Sequence, residues 1–169
     1  MHNCFLLLGS NLGKRLEILN LAVNEINNKV GEVIRGSSVY EAEAWGFESE
    51  ESFLNMVVQI ETMLSPQNVL ERILGIEKDL GRVRKSKGYA SRLIDIDILF
   101  YDDEIVDGAQ LQIPHPRLHQ RKFTLMPLME ICPDKVHPGI QKTIAQLTVQ
   151  CNDKLMVNKI ETKSKLTSG

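Results

Sequence analysis

The run Ser91-Arg92-Leu93-Ile94-Asp95-Ile96-Asp97-Ile98-Leu99-Phe100 sets two carboxylates two residues apart inside an apolar stretch. Strand side chains alternate between faces, so Asp95 and Asp97 point one way while Ile94, Ile96 and Ile98 point the other. Any fold built around this run must give it one core face and one charged face. At a rise of about 3.3 Å per residue the two carboxylate stems stand roughly 6 to 7 Å apart, within reach of shared hard cations. Magnesium suits them, because it takes oxygen ligands, uses one or two carboxylates and leaves its other positions to water and substrate phosphates. Two such ions about 3.5 to 4 Å apart clamp an in-line displacement. Spacing alone leaves open an edge strand with a solvated acidic face.

The residues just upstream bear on that choice. Arg82, Arg84, Lys85, Lys87 and Arg92 place five cations between positions 82 and 92 with no acid among them. Arginine presents a planar fork to phosphate oxygens, and magnesium would bridge those oxygens to the aspartates. A solvated basic loop or a small nucleic-acid patch is the alternative, but adjacency to Asp95 and Asp97 favours a nucleotide. The formal net charge of -2 over 169 residues gives no global attraction to nucleic acid or an anionic membrane. The expected partners are small molecules, with no obligate protein partner evident.

The length predicts one domain, residues 1-160, followed by a disordered polar tail, 161-169. The N-terminal apolar run stops at Gly9-Ser10, too short for a signal peptide or membrane span. Cys4, Cys132 and Cys151 are odd in number and widely separated, against a disulfide framework or zinc site. A reducing cytoplasm fits best.

In chain order, Cys4 to Leu8 reads as a buried strand and Gly9-Ser10-Asn11-Leu12-Gly13 as a turn, with Asn11 as the cap of a helix from Arg15. The turn lacks the spacing of a specific phosphate loop. Glu32 to Tyr40 reads as one strand with an irregularity at Gly36. Glu41 to Ser52 is an acidic loop whose Trp45, the only tryptophan, either covers the core edge or meets a ligand. Phe53 to Leu64 alternates, so Phe53 and Asn55 share a face, an aromatic plane beside an amide that suits a flat heterocycle with a polar edge. Ser65-Pro66 starts a helix ending at Gly81. Tyr101 to Gly108 reads as a hairpin followed by a strand at Leu111 to Ile113. Pro114-His115-Pro116 ends that strand, and His115 shows no partner in the sequence. Arg117 to Ile131 reads as helical in pieces around Pro127, and Thr143 as the cap of a short helix.

Together, Leu8-Gly9-Ser10-Asn11-Leu12-Gly13, Glu41 to Gly46, Phe53-Leu54-Asn55, Ile76-Glu77, Gly81-Arg82-Val83-Arg84, Arg92-x-x-Asp95-x-Asp97, Ile113-Pro114-His115-Pro116-Arg117, Arg121-x-Phe123 and His137-Pro138 closely resemble 6-hydroxymethyl-7,8-dihydropterin pyrophosphokinases. The resemblance implies an α/β sandwich (α+β) with a ferredoxin-like core, a mainly antiparallel sheet and helices on its faces. It also implies transfer of pyrophosphate from ATP to the pterin hydroxymethyl group in folate biosynthesis, with two Mg2+ ions. On the matching positions Asp95 and Asp97 would hold the metals and, with Arg82 and Arg92, form the catalytic set. Glu77, Arg82, Arg84, Arg92, Ile98, His115 and Arg121 would lie around ATP. Phe53 and Phe123 would sandwich the pterin, Asn55 would read its polar edge, and Trp45 and Asp95 would lie beside it. The chain departs from the usual pattern at Ala44, Gly88 and Ala90-Ser91, all in loops. Two other classes use the same features: a metal-dependent phosphohydrolase, and a non-catalytic ferredoxin-like nucleotide-binding module.

Overall fold

The apolar run near the N-terminus forms an interior strand of a sheet, β1 (His2–Ser10), whose residues from Cys4 onward are all buried. The computed structural model describes residues 1–42, 52–81 and 93–160. After β1 come α1 (Arg15–Lys29), β2 (Glu32–Gly36), β3 (Val39–Ala42), β4 (Phe53–Thr62), α2 (Pro66–Asp79) and β5 (Asp95–Tyr101). The sheet order is β5-β1-β4-β3, extended by β8 (Val157–Ile160), with β2 also paired to β4. Every pairing is antiparallel. With β2 and β3 counted as one interrupted strand, this is the βαββαβ order of a ferredoxin-like core.

Period-two alternation divides the core between two faces. Leu6, Leu8, Met56, Val58, Ile96 and Ile98 meet α1 and α2 through Leu19, Ile26, Val69 and Ile73. Phe5, Leu7 and Val57 meet α3 (Lys122–Ile131) and α4 (Ile144–Gln150) through Leu125, Leu128 and Leu147. The alternation breaks at Leu99, where the register slips between Leu6↔Ile98 and Phe5↔Phe100. This bulge turns Leu99 and Phe100 toward the same α3 layer.

Ser65 caps α2 by accepting the Asn68 N–H, and Thr143 caps α4 through a full capping box with Gln146. Asn11 does not cap α1: the cap position is Lys14, without a side-chain bond. Gly13, at φ 65°, adds a tight turn closed by Arg15 N–H to Gly13 O, which delays the helix. The single strand expected over Glu32 to Tyr40 is two, because Ser37 takes the ladder's place. Its N–H donates to Val57 O while its Oγ accepts the Val57 N–H. The hairpin lies later than expected, between β6 (Val106–Asp107) and β7 (Gln112–Ile113). The β8 strand, absent from the sequence reading, is too short to show alternation. The expected disordered tail lies outside the described residues. Among the described residues no helix is long and apolar enough to cross a membrane.

Candidate active site

Strand register sets a polar row across the sheet. Asp95 of β5 pairs with Gly9, Gly9 with Asn55, and Asn55 with Tyr40 of β3. Directly opposed residues share a face, here the face covered by α3. Asp97 stands on that face opposite Leu7, and Phe53 opposite Ala42. Both aspartates are partly exposed. Asn55 is only 4% exposed, and its Nδ2 has no hydrogen-bond partner among the described residues. A buried amide donor left unmade is costly unless something completes it.

The carboxylate strand is held from beneath. Ile96, between the two aspartates, donates its N–H to Glu77 Oε2 at 2.8 Å, and Glu77 is itself buried on α2. Ser10 Oγ donates to Leu93 O at 2.6 Å. Gly81 adopts φ 98°, and a Cβ there would lie 2.8 Å from Leu93 Cδ1. The chain therefore leaves α2 and re-enters at Leu93 in one place, two residues before Asp95.

The α3 layer closes the face. His115 donates its N–H to Leu99 O, and its Nδ1 accepts the Arg117 N–H. The ring proton is then on Nε2. Burial, with Arg121 and Arg117 nearby, pushes this ring down to about 4, so it is neutral at pH 7. Arg121 is drawn down by burial, while the Asp97 carboxylate favours its charge and Arg117 opposes it. The Arg121 Cζ lies 5.5 Å from the Phe123 ring centroid. Phe123 packs against Tyr40, Ala42 and Val157, directly beside the strand carrying Phe53 and Asn55.

Of the residues singled out in the sequence, Asp95, Asp97, Phe53, Asn55, His115, Arg121 and Phe123 thus come to one face. Glu77 is a buried support of β5, and the Ile98 side chain lies in the α1/α2 core. Trp45, Arg82, Arg84 and Arg92 lie outside the described residues, as do the departures at Ala44, Gly88 and Ala90-Ser91. Sequence reasoning missed Arg15, whose Nη1 donates to Ser52 O at 2.7 Å and lies 3.4 Å from Glu41 Oε2. It ties the end of β3 to the start of β4, one residue before Phe53. It also missed Gly9 and Tyr40, whose place beside Asn55 is visible only once strand register is known.

The donor set fits magnesium. Two carboxylates at alternate positions of β5 supply oxygen alone. That suits an ion completed by water and phosphate.

The family described as 7,8-dihydro-6-hydroxymethylpterin-pyrophosphokinase (HPPK) matches residues 5–133. The 2-amino-4-hydroxy-6-hydroxymethyldihydropteridine pyrophosphokinase of Aquifex aeolicus is 40% identical over 146 residues, covering 86% of this chain and 90% of that protein. Its counterpart from Porphyromonas gingivalis is 44% identical over 137 residues, 79% of this chain and 92% of that protein. A crystal structure of an HPPK-DHPS in complex with substrates shares the fold, with a TM-score of 0.72 at 16% identity, over 88% of this chain and 43% of that longer one. With relatives this similar along most of both lengths, the chain belongs to the 7,8-dihydro-6-hydroxymethylpterin-pyrophosphokinase family.

Proposed function

We propose that this chain transfers pyrophosphate from ATP to the hydroxymethyl oxygen of 6-hydroxymethyl-7,8-dihydropterin, releasing AMP, as a step of folate biosynthesis. The row Asp95-Gly9-Asn55 supports the site assignment: it sets a carboxylate and an amide donor that has no partner among the described residues on one face of one sheet. Phe53 and Phe123 flank that row and stack on the pterin, while Asn55 Nδ2 donates to an acceptor on its polar edge. Asp95 stands between the pterin and the phosphates.

Asp95 and Asp97 would hold two magnesium ions, which when bound neutralise phosphate charge and acidify the substrate hydroxyl. Arg121, whose charge the Asp97 carboxylate favours, and the neutral His115, through its Nε2–H, donate to phosphate oxygens. Arg82 adds charge where the bridging oxygen leaves, and Arg84 and Arg92 bind around the triphosphate, Arg92 as part of the catalytic set. Glu77 acts by fixing β5. Any ATP contact from Ile98 runs through its main chain. No protein nucleophile is needed, because the work is alignment of the hydroxyl with the β-phosphorus and stabilisation of developing charge. A cytoplasmic setting accords with three free cysteines.

Product analysis with ATP, magnesium and the pterin alcohol tests the reading. Equal amounts of AMP and pterin pyrophosphate are expected. Phosphate release without a pterin product would identify a phosphohydrolase, and magnesium-indifferent binding without turnover would identify a binding module.

A further inference from the structure

Gly9 occupies the centre of the polar row, opposite Asp95 on one side and Asn55 on the other. It lies in regular paired strand, so no unusual backbone angle calls for glycine. What calls for it is space. A Cβ at Gly9 would sit 2.8 Å from Asn55 Oδ1, and its next contact, Asn55 Cγ, would be at 3.9 Å. The amide therefore lies across the bare Cα of its neighbour, in the place where any other residue would have a side chain. Asn55 is 4% exposed and its Nδ2 has no partner among the described residues, so a buried donor is left unmade there.

We propose that Gly9 is a positioning residue for substrate specificity: its missing side chain is the space that holds the Asn55 amide at the angle needed to read the heterocycle. This rests on the assignment of Asn55 to the pterin. The atom in conflict is the far end of a side chain that can rotate, so a methyl at Gly9 displaces the amide rather than the backbone. Recognition should suffer far more than folding.

The experiment is a double-mutant cycle on pterin affinity, read by titration calorimetry with magnesium and a non-hydrolysable ATP analogue present, together with melting temperature. Gly9→Ala is expected to raise the pterin Kd tenfold or more while nucleotide Kd, measured without pterin, changes less than twofold. In an Asn55→Ala background the same Gly9→Ala change is expected to alter pterin Kd less than twofold, and to leave the melting temperature equal or higher because the conflicting atom is gone. If the full loss persists in that background, the methyl obstructs the substrate itself and the positioning role is wrong. Equal loss of both ligands in Gly9→Ala would likewise overturn it. If Asn55→Ala alone leaves pterin affinity unchanged, the failure belongs to the underlying assignment of Asn55. Should Gly9→Ala not fold, a folded Gly9→Ala/Asn55→Ala protein supports the conflict with Asn55, and an unfolded one overturns it.

Discussion

Glu77 Oε2 accepts the Ile96 N–H at 2.8 Å from a side chain that is 3% exposed, so a carboxylate on α2 holds the residue between the two candidate metal ligands. Removing it leaves a main-chain donor without its partner and a hole beneath the strand. Glu77→Ala should cost about 2 to 3 kcal/mol of stability, and weaken magnesium-nucleotide binding. Glu77→Gln keeps an acceptor oxygen and should recover most of both. Urea denaturation and calorimetry check this; an alanine variant with parental stability would remove Glu77 from the scaffold of the site.

Phe123 lies between Arg121 and the Tyr40-Ala42-Val157 cluster. Phe123→Ala should raise the pterin Kd by roughly 1 to 3 kcal/mol, the usual worth of a stacked ring, with nucleotide affinity almost unchanged. Phe53→Ala should act alike. Matching losses for the two ligands would reject the aromatic sandwich.

Arg15 bonds Ser52 O and lies within 3.4 Å of Glu41 Oε2. Arg15→Ala frees the junction beside Phe53 and should weaken pterin binding by about 1 kcal/mol, the worth of a typical hydrogen bond. Arg15→Lys keeps one donor and should restore part of it. The readout is pterin KM against kcat at saturating ATP: a change in kcat alone would show that Arg15 does not act through the pterin subsite.

His115 gives a pH signature. Burial lowers the folded ring to about 4, whereas an unfolded histidine titrates near 6.5. Between those values the unfolded chain binds a proton that the native one lacks. The ring's contribution is therefore fully present above pH about 6.5 and lost as pH falls toward 4. The ring is only partly buried, so solvent screening reduces the effect to about 1 to 2 kcal/mol. Between pH 7.5 and 5 the parent should lose more stability than His115→Gln. Identical losses would show that the ring titrates freely.

What was legible in the sequence is what depends on local period. Alternation put Asp95 with Asp97 and Phe53 with Asn55 on shared faces, and caps at Ser65 and Thr143 marked two helices. What was not legible depends on pairing between distant segments. Nothing local sets Gly9 against Asn55, 46 positions apart in the chain, or gives Glu77 an amide on β5. The break at Ser37 follows from its hydrogen bonds to Val57 across the sheet. Similarly, Lys122 at the start of α3 donates its N–H to Asp153, which no helix-start pattern would reveal.

Asp95 and Asp97 as metal ligands underlie the proposed mechanism, and Asp97→Asn is the decisive substitution. Without metal the paired carboxylates repel each other, while the nearby Arg121 charge offsets part of that repulsion. Neutralising Asp97 should leave the melting temperature in chelator within a few degrees of the parent. Turnover of ATP and the pterin alcohol at saturating magnesium should fall at least about a thousandfold, given that a metal contributes several kcal/mol to stabilising charge in the transition state. A folded Asp97→Asn protein that retains turnover within tenfold of the parent would contradict the metal assignment and the mechanism built on it.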